Sequence, residues 1–213
     1  MRTAAFIDAS NLFYGGKKSL GWSIDYDKLL CYLKEKYAVD AAYFFGGVEI
    51  HRFPFDYLQH DTVPIEDLET FLAGLIREKG KYMTDAQIVL LDRHLRRVRF
   101  YLKLQAFGYH LILKPVKTYE DEDGNPTRKA NCDVDMAFRL MLGQSSFDRA
   151  IILSGDGDFL PVLKHLRQSG KEVLVLARGP RTAKEIKQFA GDKFLDFTRL
   201  QHRLARDEEE TSV

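Results

Sequence analysis

Along the chain, short apolar runs alternate with segments in which apolar residues return every three or four positions. Residues 3–7, 41–45 and 150–153 are compact apolar runs with β-branched or aromatic character, and residues 109–115 and 172–176 share it. Runs of this length read as buried strands. The segments between them read as helices. Residues 25–37 carry Leu29, Leu30 and Leu33 at helical spacing, and Thr84 stands where it can cap a long helix striped by Ile88, Leu91, Leu95, Val98 and Leu102. Residues 133–142, 158–168 and 182–189 complete the set. Strands alternating with helices predict an α/β fold with a mostly parallel sheet covered on both faces.

Some segments break the rhythm. Residues 51–83 open with the proline-bearing aromatic stretch His51-Arg52-Phe53-Pro54-Phe55 and continue into a predicted helix near 65–77, so they read as an insertion in a single domain of residues 1–200. Residues 119–128 combine charge with Gly124 and Pro126 and read as an exposed turn or hairpin. The acidic, polar residues 207–213 read as a disordered tail. There is no internal repeat.

Composition narrows the picture little. At 213 residues and 45% hydrophobic content the chain suits one well-buried soluble domain. Its 32 Lys and Arg nearly cancel 31 Asp and Glu, so any attraction for nucleic acid must come from local patches. Cys31 and Cys132 lack metal-finger spacing and read as buried thiols in a reducing compartment. The apolar run before Asp8 is too short for a signal peptide, and no stretch approaches the roughly 20 apolar residues that span a bilayer. A cytoplasmic location without membrane contact is the expectation.

The candidate chemistry is acidic. In Phe6-Ile7-Asp8-Ala9-Ser10-Asn11 an apolar strand ends on a carboxylate, where parallel sheets bind ligands; the alternative is that Asp8 or Asn11 caps the next helix. In Ile151-Ile152-Leu153-Ser154-Gly155-Asp156-Gly157-Asp158-Phe159 two carboxylates flank a glycine after another strand, with no local cation. Beside Asp8 they would repel unless a metal bound; the alternative makes Asp158 a helix cap and leaves Asp156 solvated. Asp133 and Asp135 open a predicted helix, and a two-residue step turns it by about 200°, so only one of them can face a metal. Asp133 is the candidate, since it opens the helix directly after the exposed turn. Gly15-Gly16-Lys17-Lys18-Ser19 lacks P-loop spacing, and Asp121-Glu122-Asp123-Gly124-Asn125 lacks the ligands of a calcium loop. Ser10 stands where an aspartyl-phosphate phosphatase would carry a second Asp.

Taken together and in this order, FIDASN, KANCDVD and SGDGDF resemble the NYN domain, a branch of the PIN-like nuclease superfamily that includes the LabA-like proteins. The resemblance covers residues 3–198 apart from the insertion. It implies a Rossmann-like (PIN-like) three-layer α/β domain with an acidic pocket for Mg²⁺ or Mn²⁺, and a metal-dependent ribonuclease that hydrolyses RNA phosphodiester bonds. Asp8, Asp133, Asp156 and Asp158 match the metal-binding positions, and Asn11 the polar position beside them. One departure is Arg139, where the family often has an acidic residue; a cation there either weakens metal binding or meets the scissile phosphate. Because some LabA-like proteins are regulatory, the alternative is a catalytically silent module that binds RNA or a protein.

RNA contacts would come from local cations. Arg178, Arg181, Lys184 and Lys187 follow the last strong strand and can hold backbone phosphates without reading bases. Arg93, Arg96, Arg97, Arg99 and Lys103 are either a second such group or the solvated face of the long helix. Tyr14 and Trp22 either stack on bases or pack the first loop. A protein partner or a homodimer remains open.

Overall fold

The computed structural model describes residues 1–13, 20–120 and 126–207. The chain divides into two compact units, Met1–Phe45 with Asp133–Val213, and Gly46–Cys132. Strands β1 (Thr3–Asp8), β2 (Val39–Val48), β3 (His110–Pro115), β6 (Arg149–Leu153), β7 (Glu172–Ala177) and β8 (Phe194–Asp196) form a sheet of order β3-β2-β1-β6-β7-β8, while β4 (Lys117–Glu120) and β5 (Pro126–Lys129) pair as a hairpin. The β2-β1, β1-β6, β6-β7 and β7-β8 pairings are all parallel. This is the expected three-layer, Rossmann-like α/β fold. β8 was not predicted; three residues are too few to show an apolar run.

The strand order decides where a site can form. From β1 the chain steps outward through β2 to β3, then returns to set β6 on the other side of β1 and steps outward again through β7 to β8. The reversal therefore falls between β1 and β6. Loops leaving the carboxyl ends of these two strands diverge and open a crevice, the usual place for a ligand in such sheets. β1 is buried along its whole length, as a central strand covered on both faces must be. Phe6 stacks on Tyr43 at 5.3 Å between ring centroids and meets Phe147 edge-on at 5.5 Å.

In the first unit, the helices are α1 (Ala9–Phe13), α2 (Tyr26–Tyr37), α5 (Asp133–Leu142), α6 (Leu160–Gln168), α7 (Lys184–Ala190) and α8 (Gln201–Leu204). Asp25 caps α2 by accepting from the amides of Asp27 and Lys28, and Ala38 ends it in the left-handed region at φ 52°. α5 packs on β1 and on the turn Gly157–Phe159, whereas α6 and α7 pack on β7. Trp22 is buried and stacks on Phe197 at 5.8 Å, so it packs the first loop and offers no face to a base. Cys132 is buried as expected, but Cys31 is exposed, because it falls on the outward side of α2 between the buried Leu30 and Tyr32.

The second unit holds α3 (Ile65–Lys79), which packs on α4 (Asp85–Phe107). Thr84 starts α4 with a reciprocal capping box to Gln87, and Gly108 stops it at φ 106°. The stripe that predicted α4 is buried at Leu91, Leu95 and Val98. Segment 51–83 lies wholly inside this unit. The tip of the predicted hairpin (121–125), the glycine-lysine run at 15–19, Tyr14 and tail residues 208–213 lie outside the described residues. Among the described residues no helix is long and apolar enough to cross a membrane.

Candidate metal and nucleic-acid site

Asp8 ends β1 and is 2% exposed. Burial of a carboxylate requires hydrogen bonds to each oxygen. Its Oδ1 accepts from the Ser10 amide (3.0 Å), the Ser10 hydroxyl (2.6 Å) and the Asn11 amide (3.1 Å), which is the helix-capping arrangement for α1. Its Oδ2 accepts from the buried Ser154 hydroxyl at 2.9 Å. Capping and site membership thus coexist: one oxygen closes the helix and the other turns toward β6.

Ser154 links the two strand ends. Its Oγ donates to Asp8 and accepts from the Asp156 amide at 3.2 Å. Asn11 closes the same junction, since its Oδ1 accepts from the Gly155 amide at 2.9 Å. That bond commits the amide oxygen and leaves the Asn11 Nδ2 as the donor available to a ligand. Asp156 is half-buried, and its Oδ1 accepts from the Asp158 amide at 3.0 Å, so the cap of the following turn is Asp156 and not Asp158. Asp158 is exposed. The reason is local: Gly157–Phe159 forms a tight 3-10 turn, whose first free amides face the side chain before it.

Asp8, Asn11 and Asp156 are therefore joined through Ser154 and Gly155. Asp133 is half-buried at the start of α5, the helix that packs on both β1 and the Gly157–Phe159 turn. Among the described residues no three His, Cys, Asp or Glu side chains are grouped closely enough to hold a metal ion. Arg139 is exposed, with its guanidinium 5.5 Å from the Tyr43 ring centroid.

The basic turn after β7 adjoins this junction. The Ala183 amide donates to the Gly155 carbonyl at 2.9 Å, and a Cβ on Gly155 would lie 2.8 Å from the Thr182 Cα, so only glycine fits there. Thr182 in turn donates to the Arg178 carbonyl at 2.8 Å. Of the expected RNA contacts, Arg181, Lys184 and Lys187 are exposed, whereas Arg178 is 7% exposed. Burial, and then the neighbouring Arg181, lowers the Arg178 pKa from its ordinary value. On α4, Arg96 pairs with Asp92, and Arg99 with Glu69 at 3.0 Å, as expected of a solvated helical face.

Two carboxylates escaped the sequence reading. Glu185 on α7 lies against Gly157, where any side chain would collide with its Oε1. Nothing in the sequence links positions 28 residues apart; the approach of α7 to the β6 turn creates it. Asp196 at the end of β8 accepts from the Gly179 amide (3.0 Å), the Thr198 amide (3.0 Å) and the Thr198 hydroxyl (2.8 Å), and so fastens the turn that bears Arg178 and Arg181. Burial acts to raise its pKa, but these hydrogen bonds together hold it below the ordinary 3.8. A carboxyl whose pKa falls on folding stabilises the fold above its unfolded value and loses that contribution as pH drops through the folded one. Asp196→Asn keeps the acceptor and loses the charge, so it is expected to be about 1 kcal/mol less stable at neutral pH. Denaturant unfolding at a series of pH values should show this gap closing below pH 3.8.

The NYN domain family model matches residues 72–204 of the chain, more than half its length. The chain belongs to the NYN domain family. The matched span holds the Asp133, Asp156 and Asp158 motifs and begins after the Asp8 strand. Over 211 residues this NYN domain protein is 22% identical to Low amplitude and bright protein LabA of Synechococcus elongatus, with 97% of this chain and 89% of that protein aligned. A crystal structure of a protein of unknown function from Vibrio parahaemolyticus RIMD 2210633 is similar to it in fold, with a TM-score of 0.56 at 17% identity over 92% of this chain and 91% of that one. A structure of T5 5'-exonuclease with divalent zinc ions bound matches at a TM-score of 0.44 and 15% identity, over 88% of this chain and 60% of that one.

Proposed function

We propose that this NYN domain is a Mg²⁺- or Mn²⁺-dependent ribonuclease whose centre lies between the ends of β1 and β6. The supporting observation is the buried junction in which the Ser154 hydroxyl ties the Asp8 carboxylate to the Asp156 backbone at the sheet's reversal point. Mg²⁺ keeps several waters and is commonly bound by one or two carboxylates together with substrate phosphate, so the buried Asp8 and the half-buried Asp156 would suffice for it without a closed cage. Asp133 and Asp158 are the further candidates, joining when substrate is present. A divalent ion held there would offset phosphate charge and lower the pKa of water.

The side chains have distinct tasks. Asp8 is held rigid by its four hydrogen bonds and fixes the position of the charge. Asp156 is half-buried, with only Oδ1 used in capping, and takes the proton from the attacking water. The Asn11 Nδ2 orients that water or a phosphate oxygen. Arg181, Lys184 and Lys187 hold the RNA backbone from the adjoining turn and helix, and Arg178 braces that turn.

Generic single-stranded RNA incubated with the protein is expected to be cleaved with Mn²⁺ or Mg²⁺ and left intact in EDTA, as read on a denaturing gel. Intact RNA under every metal condition would overturn the nuclease reading. The second reading, a silent module that binds RNA or a protein, draws on Arg139, which puts a cation where the family often has an acid; RNA binding without cleavage would favour it. Phosphate release from nucleotides with RNA left whole would point to a small-molecule phosphatase.

A further inference from the structure

Helix α5 shows two apolar faces where a surface helix needs one. Met136 and Leu140 are buried against the sheet side. Away from them, Val134 (71% exposed), Phe138 (64%) and Leu142 (66%) stand four residues apart and so form a single stripe on the outer face. Single exposed apolar residues are ordinary, but a contiguous stripe of three large ones marks a contact surface.

Charge along one flank of the stripe says what covers it. Asp135 and Arg139 lie four residues apart on the same side of Val134 and Phe138, the acid toward the helix N-terminus and the base toward the C-terminus. When two copies of a helix meet antiparallel about a twofold axis, each flank faces the same flank of its partner with direction reversed. Asp135 then opposes the partner's Arg139, and Arg139 the partner's Asp135. Along the seam Val134 approaches the partner's Leu142, with the two Phe138 rings near the axis. Arg139 is already held over the Tyr43 ring, so its guanidinium stays on that flank. A parallel twofold arrangement would turn this flank toward the opposite flank of the partner helix, where Ala137 and Met141 lie, and leave both charges unpaired.

We propose that the chain forms a twofold homodimer through the α5 stripe, with Val134, Phe138 and Leu142 as its apolar seam and two reciprocal Asp135–Arg139 pairs as its register. A standard interface buries about 800 Å² per partner, more than one helical stripe supplies, so the dimer is weak and dependent on concentration.

Sedimentation equilibrium across the micromolar range tests it, on the full chain without metal or RNA. Wild type is expected to shift from monomer to dimer as concentration rises. Phe138→Glu should raise the dimer Kd about thirtyfold or more with an unchanged circular-dichroism melt, because the position is exposed in the monomer. Arg139→Glu alone should raise it about tenfold, and adding Asp135→Arg should recover it, since swapping both charges preserves the reciprocal pairing. A monomer at every concentration, an assembly larger than a dimer, a dimer indifferent to Phe138→Glu, or no recovery in the double variant would each overturn the proposal. These outcomes are independent of RNA cleavage, so the dimer and the nuclease reading can fail separately.

Discussion

Asp156→Asn is expected to lower metal-dependent RNA cleavage about 100- to 1000-fold while leaving the fold intact. The two consequences separate because the residue has two roles. As a cap, Asp156 offers Oδ1 to the Asp158 amide, and asparagine caps a helix as well as aspartate does. As a candidate metal ligand and proton acceptor it needs the charge that asparagine lacks. Charge stabilisation at a metal site is worth several kcal/mol, and each 1.36 kcal/mol is tenfold in rate, which sets that range. Single-turnover cleavage with Mn²⁺, beside a thermal melt, checks both halves. Equal rates in wild type and variant would remove Asp156 from the site. Asp8→Asn would be a poorer probe, because Asp8 accepts four hydrogen bonds; an amide NH₂ would face either the Ser10 and Asn11 donors or the Ser154 hydroxyl, and stability would change with activity.

Phe6→Ala should be among the most destabilising single changes, costing about 3–5 kcal/mol. The ring is 1% exposed in the central strand, stacked on Tyr43 from β2 and set edge-on to Phe147 before β6, so it joins three segments of the sheet's middle. Neighbours fixed in a parallel sheet collapse poorly into the vacated space, which keeps the cost toward the upper end. For a chain of this size the fall in Tm should be roughly 6–20 °C. Calorimetry checks it; a change below about 1 kcal/mol would mean that the ring is not packed as described.

The polar junction at Asp8 and the aromatic cluster at Phe6 differ in how openly they are written in the chain. FIDASN and SGDGDF each show a strand end followed by a helix start, and the structure finds β1 ending at Asp8 and β6 at Leu153. That much is local, because chain direction and side-chain period are set by neighbouring residues. Which of two nearby carboxylates caps a turn was not legible: Asp156 or Asp158 could serve, and the 3-10 geometry of Gly157–Phe159 chose Asp156. Cys31 went against expectation, and Trp22 took the packing role of its two alternatives, for a similar reason. Whether an indole or a thiol faces solvent depends on which neighbour arrives: Phe197 stacks on Trp22, while Cys31 stays exposed.

By itself the sequence determined the α/β class, the parallel strands and the acidic residues at their ends, because periodicity and turn chemistry act within a few residues. Tertiary structure alone decided that β1 and β6 are neighbours at a reversal of strand order, that Ser154 bridges Asp8 to Asp156, and that Glu185 and Asp196 reach the same end of the sheet. These contacts join residues far apart in the chain, and only the pairing of strands sets the distance between them.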